Sequence, residues 1–262
     1  RAVIAANRTG KALKHGTLVA TPLGWVPIEN LHPHDEVISG EGTITPVIAV
    51  HPQGEVDLYA LSFDGVHEII TCAEHLWKFL PPVARYPCRS RRAGGQERNP
   101  RYNQWLIGTT GELMMFNSRS PRQRCVVPMT APFVFDAAAL PIDPYVLGVL
   151  LGDGYLAKDH VKLSSADAEI VAAVAQHFQV TKYQNFDYGV LGAVPRLRAL
   201  GLCGRTSSTK FIPSSYLCAA PEQRLALLQG LMDTDGSIHG PGAIMEYATC
   251  SDALADGFEW LA

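Results

Sequence analysis

Tyr145-Val146-Leu147-Gly148-Val149-Leu150-Leu151-Gly152-Asp153-Gly154-Tyr155-Leu156 returns further along the chain, in altered form, as Leu228-Gln229-Gly230-Leu231-Met232-Asp233-Thr234-Asp235-Gly236-Ser237-Ile238. Each stretch carries a small residue at the matching place, Gly148 or Gly230, and each closes on Asp-Gly. An apolar run of this kind reads as a buried helix, and a glycine within it lets a second backbone come close. The pattern predicts two helices packed against each other at their glycines. Both would end on a carboxylate, so that Asp153 and Asp235 meet at a common base, with Gly152 and Thr234 beside them. Two carboxylates so placed suit Mg2+, a hard cation that takes oxygen ligands.

Around this pair the chain is ordinary in composition. It has 262 residues and a net charge of −3, so global basicity does not advertise nucleic acid. The length suggests about two domains. No apolar run approaches a membrane helix, and the first residues lack a secretory pattern. Six cysteines form no Cys-x-x-Cys pair, so reduced thiols and a cytoplasmic setting are expected.

The paired motifs resemble those of LAGLIDADG homing endonucleases. That resemblance implies Mg2+-dependent cleavage of a double-stranded DNA site, with Asp153 and Asp235 as metal-binding catalytic residues. Lys210-Phe211-Ile212-Pro213 matches a Lys-x-Ile-Pro segment of such enzymes. Lys210 would then stabilise the transition state or help activate water. The residues after Gly236 are too few for a second repeat as long as the first, which implies a truncated endonuclease domain over 136–262. Within that range eight Lys and Arg face fourteen Asp and Glu, so attraction to DNA has to be local.

A second resemblance lies upstream. Gly16-Thr17-Leu18-Val19-Ala20-Thr21-Pro22-Leu23-Gly24, then Ile28-Glu29-Asn30-Leu31, then Asp35-Glu36-Val37, is similar to the opening block of inteins and the Hint superfamily. It implies an all-β splicing region over 12–80, beginning at Ala12, and protein splicing at the Lys11–Ala12 bond. Val66 to Phe79 resembles the second Hint block, with His75 in the histidine place to donate to the leaving nitrogen and Cys72 where threonine is usual. Ala12 has a methyl group and cannot attack a carbonyl. Trp77, two residues after His75, fits the class 3 inteins, which use an internal nucleophile. A splicing-dead remnant, or a free-standing DNA-binding protein, is the alternative.

Two segments complete the reading. Asn7-Arg8-Thr9-Gly10-Lys11 looks like the end of a phosphate-binding loop, similar to the ATPase of phage terminase large subunits; 1–11 would be the flanking host protein. Residues 81–135 form an arginine-rich linker in which Arg89, Arg91, Arg92, Arg98 and Arg101 could grip DNA phosphates. Between 85 and 124 nine arginines face Glu97 and Glu112. Thr109 to Met114 reads as a capped short helix. The expected whole is mixed: an all-β module, then an α+β domain, acting as a monomer with no membrane partner.

Overall fold

The computed structural model describes residues 13–52, 54–63, 67–86, 88–90, 96–118, 124–240 and 244–262. The chain divides into two compact units, Arg1–Phe133 and Val134–Ala262.

The first unit is a set of antiparallel hairpins. β1 (Leu18–Thr21) pairs with β2 (Gly24–Pro27), and β3 (Glu36–Ile38) with β4 (Ile44–Pro46). β5 (Leu58–Phe63) pairs with β6 (His67–Cys72). β7 (Leu76–Phe79) pairs with the distant β10 (Leu106–Thr109), and β8 (Cys88–Ser90) with β9 (Gln96–Arg98). The unit also holds an α-helix, in the 81–135 segment and outside the 12–80 region expected to be all-β. α1 (Thr110–Ser118) follows β10 directly. Its start is the capping box that the sequence suggested: Glu112 N donates to Thr109 Oγ1 at 3.2 Å, and Thr109 N donates to Glu112 Oε2 at 2.8 Å. Leu61, Trp77, Phe79 and Leu113 make its small core.

Gly42 sits at a positive φ of 79°. A Cβ there would overlap the Pro132 carbonyl and lie 3.1 Å from the Ala131 carbonyl oxygen. Gly42→Ala is expected to cost about 1–3 kcal/mol, read as an earlier first transition in urea.

The second unit holds the larger core. α2 (Pro144–Gly152) and α6 (Pro221–Asp235) cross at its centre. Around them lie β11 (Gly154–Leu156), β12 (Val161–Ser164), α3 (Ala168–Ala175), β13 (Gln179–Gln184), β14 (Asp187–Leu191), α4 (Ala193–Ala199), α5 (Ser214–Leu217), β15 (Gly236–His239), β16 (Ile244–Tyr247) and α7 (Asp252–Leu261). One antiparallel sheet runs β11-β12-β14-β13, and β15-β16 is a separate hairpin.

The helix starts are legible chemistry. Asp143 precedes Pro144 and its side chain accepts from Val146 N at 3.2 Å, a cap followed by proline in the first turn. Asp167 caps α3 by accepting from Glu169 N at 2.8 Å. Ser165 Oγ in turn accepts from Asp167 N at 3.2 Å. Ser251 caps α7 in the same manner.

The two halves of this unit repeat one plan: helix, hairpin, capped helix. β12 returns to the end of α2, where Ser164 N donates to Asp153 O at 3.2 Å. β16 is followed by the matching bond, Ala248 N to Asp235 O, also at 3.2 Å. No helix among the described residues is long and apolar enough to cross a membrane.

Candidate functional site

The crossing of α2 and α6 delivers the carboxylates. Gly148 meets the α6 backbone at Leu227, Gly230 and Leu231, and Gly230 meets the α2 backbone at Tyr145 and Val149. With the backbones so close, both helix ends share one base. Asp235 Oδ2 lies 3.3 Å from where a Cβ on Gly152 would stand, and Thr234 presses on the same point. The sequence-predicted group of Gly152, Asp153, Thr234 and Asp235 is therefore brought together.

Electrostatics mark the pair. Burial pushes the Asp153 carboxyl above its ordinary value; the Asp235 charge adds to the rise and the Lys210 ammonium opposes it. Burial also raises Asp235, again against Lys210. Both ionised forms are thus disfavoured, and a divalent cation would relieve them. Among the described residues no group of three or more His, Cys, Asp or Glu converges on a metal position. The pair still fits Mg2+, which is commonly held by one or two carboxylates plus water and phosphate oxygens.

A carboxyl whose native pKa is raised is protonated in both states at low pH, so it costs nothing there. Above the ordinary value of 3.8 the unfolded chain ionises first, and the native state loses stability as pH rises toward the raised native value. Asp153→Asn and Asp235→Asn are each expected to raise the melting temperature at pH 7 in EDTA. The gain should vanish below the ordinary carboxylate range, as read by melting curves across pH.

Lys210 is brought to the same place but not as expected. It is buried at 4% exposure, and burial lowers its pKa while Asp235 and Asp153 support its charge. Its Nζ donates to the carbonyls of Leu151 at 2.7 Å, Gly152 at 3.0 Å and Gly154 at 2.8 Å. An ammonium has three protons, and all three are spent on carbonyl oxygens.

In the first unit His75 is buried and stands edge-on to Trp77, with ring centroids 5.2 Å apart. Trp77 Nε1 donates to Thr110 Oγ1 at 2.9 Å, and His75 O accepts from Thr110 N at 2.8 Å. Cys72 is buried opposite Leu58 in the β5–β6 ladder. Leu13 bridges to Thr71 on β6, and Lys14 N donates to Ile70 O at 3.0 Å. Lys11, Ala12, Arg91 and Arg92 lie outside the described residues, as do the side chains of Arg89 and Arg98. Arg101 is exposed, and its backbone N donates to Asn99 Oδ1 at 3.0 Å.

Sequence reasoning missed one surface of the second unit. Tyr155 pairs with Lys162 across β11–β12, and Lys162 with Gly189 across β12–β14. Tyr183 lies over Gly189, and Tyr155 and Tyr183 are 60% and 59% exposed. Leu156, Val161 and Leu163 point into the core instead. The available signal was the alternation of Tyr155 with Leu156 and of Lys162 with Leu163.

No family model matches the chain. Among curated proteins it is similar to the replicative DNA helicase DnaB of Mycobacterium intracellulare, at 30% identity over 97% of this chain. The chain spans 42% of that helicase's length.

That finding corrects the family reading. The similarity is to a replicative helicase, not to an intein, a homing endonuclease or a phage terminase. Self-splicing at Lys11–Ala12 and site-specific cleavage of a homing site are withdrawn as the chain's function. The Hint-plus-LAGLIDADG fold assignment, the two enzyme activities and the terminase host are withdrawn with them. Two features of the chain agree. Ala12 offers no nucleophile, and the ammonium of Lys210, expected at a transition state, is occupied by three carbonyls.

Proposed function

We propose that this chain is a DNA-contacting part of a replicative-helicase-like protein. In this reading Val134–Ala262 meets the DNA backbone through the Tyr155, Lys162 and Tyr183 face, and a Mg2+ ion at Asp153 and Asp235 joins that contact. The observation that carries the reading is the similarity to a DNA helicase across 97% of the chain.

Chemistry supports it. Exposed aromatic rings beside a lysine offer stacking and charge to a nucleic acid. A bound Mg2+ would neutralise the carboxylates and accept a phosphate oxygen as ligand. Asp153 and Asp235 would hold it at the shared base of α2 and α6. That local supply of positive charge matters because acidic residues outnumber basic ones between 136 and 262. In the first unit the exposed Arg101, with Arg89, Arg91, Arg92 and Arg98, would add phosphate contacts.

The reading assigns contact rather than ATP turnover to the described residues. Their strand ladders are antiparallel, whereas doubly wound nucleotide-binding sheets are mostly parallel. Gly10-Lys11 is the part of the sequence suited to a nucleotide phosphate.

The test is fluorescence anisotropy with labelled single-stranded and duplex DNA, in Mg2+ and in EDTA, over a salt series. Binding should strengthen with Mg2+ and weaken steeply with salt. Asp153→Asn and Asp235→Asn should lose the Mg2+ increment while keeping the EDTA level. Lys162→Ala should lower the salt slope by about one. No binding of either DNA at low salt in Mg2+ would refute the reading.

A further inference from the structure

We infer that Lys210 is a positioning residue: it clamps the end of α2 so that the Asp153 carboxylate faces Asp235, and it does not itself touch DNA phosphate. The inference rests on the reading of the carboxylate pair as a cation site.

The geometry is specific. The three acceptors of the ammonium belong to Leu151, Gly152 and Gly154, so they bracket Asp153. They lie where α2 ends, and the last carbonyls of a helix have no partner within it. A cation there also opposes the negative end of the helix dipole. The lysine is held from behind as well, since Ser251 Oγ donates to Lys210 O at 2.6 Å. With both ends fastened, the side chain has neither a spare proton nor slack to reach a ligand.

The other half of the unit is built differently. At the end of α6, Thr234 Oγ1 turns back to Gly230 O at 3.1 Å and Leu231 O at 3.0 Å. The repeat is therefore broken at Lys210: a buried ammonium secures the turn at Asp153, and a hydroxyl occupies the corresponding turn before Asp235. This gives the lysine a task that neutralising two carboxylates would not require, because charge alone does not select three carbonyls around one residue.

The two roles predict opposite signs. If Lys210 acted only as a nearby positive charge, removing it would tighten cation binding, because its repulsion would go. If it positions Asp153, removing it loosens cation binding. Mn2+ serves as the probe, read by electron paramagnetic resonance on the whole chain. Lys210→Met is expected to weaken Mn2+ about 10–100-fold, the usual effect of losing a group that orients a ligand. Lys210→Gln keeps two N–H donors without charge and should retain part of the affinity. Unchanged or tighter Mn2+ in a folded Lys210→Met or Lys210→Gln variant would overturn the inference.

A measurement on the unaltered chain covers the case in which neither variant folds. In protein labelled with 15N-lysine, the Lys210 ammonium protons should exchange slowly and keep their shift when DNA is added in Mg2+. A shift of that signal onto phosphate would overturn the inference. Asp153→Asn separates the two levels of argument. If the unaltered chain binds no Mn2+, or Asp153→Asn binds it equally well, the cation-site reading itself fails.

Discussion

Gly230→Ala is expected to cost about 3 kcal/mol, near the upper end of what overpacking a core costs. The added methyl would overlap the Tyr145 carbonyl and come within 3.0 Å of Val149 N. Both obstacles are backbone of α2, so no side-chain rotation clears them and the helices must move apart. Alanine's better helix propensity offsets this by about 1 kcal/mol, which the figure includes. Gly148→Ala meets the mirror obstacle, with a Cβ 2.9 Å from Leu231 N, and should cost a similar amount. The double variant should cost less than the sum of the two, because the first methyl has already opened the crossing that the second would disturb. Urea unfolding followed by circular dichroism checks all three. Gly240 has a φ of +68° and open space around it, so Gly240→Ala should lose only about 1 kcal/mol and serves as the control. An effect at Gly230 no larger than at Gly240 would show that the helices do not meet there.

Trp77→Ala should act on the other unit. Trp77 is 1% exposed in a core that it shares with Leu61, Phe79 and Leu113. Truncating a buried tryptophan typically costs about 3–5 kcal/mol, and so small a core has little around it to collapse into the space. Two units with separate cores need not unfold together. The first-unit transition is therefore expected to move to lower urea, or to be lost, while the transition of Val134–Ala262 stays in place. Trp77→Phe separates packing from hydrogen bonding. It keeps a ring but removes the donor to Thr110 Oγ1. The Thr110 hydroxyl still reaches His75 O at 3.3 Å, so the hydrogen-bond part should be only about 1 kcal/mol. A loss for Trp77→Phe equal to that for Trp77→Ala would mean that the bond, not the ring, holds the unit.

Particular elements show why some of this was legible. Thr109 and Glu112 are three residues apart and bond each other's backbone, so the start of α1 is written locally. The same holds for Asp143-Pro144 ahead of α2 and for Pro221 opening α6. Pairing β7 with β10 requires residues far apart to find each other, and no local pattern announces it. The familial reading erred at a different level. An apolar run with an inner glycine and a final Asp-Gly describes how two helices cross, whereas a reaction belongs to the site built upon them. The Hint resemblance had the same weakness: Trp77 belongs to the small core of the first unit and His75 stands edge-on to it, while the Lys11–Ala12 bond on which that resemblance placed the chemistry lies outside the described residues.

By itself the amino-acid order determined the helix ends, the glycine crossing and the meeting of Asp153 with Asp235, because each depends on residues close in sequence or on a repeat visible within it. Only the tertiary structure decided what Lys210 does and which face Tyr155, Lys162 and Tyr183 share. The physical reason is that a long side chain takes whichever partner the closed fold brings within reach. For Lys210 those partners are three carbonyls around the end of α2, 56 to 59 residues earlier in the sequence.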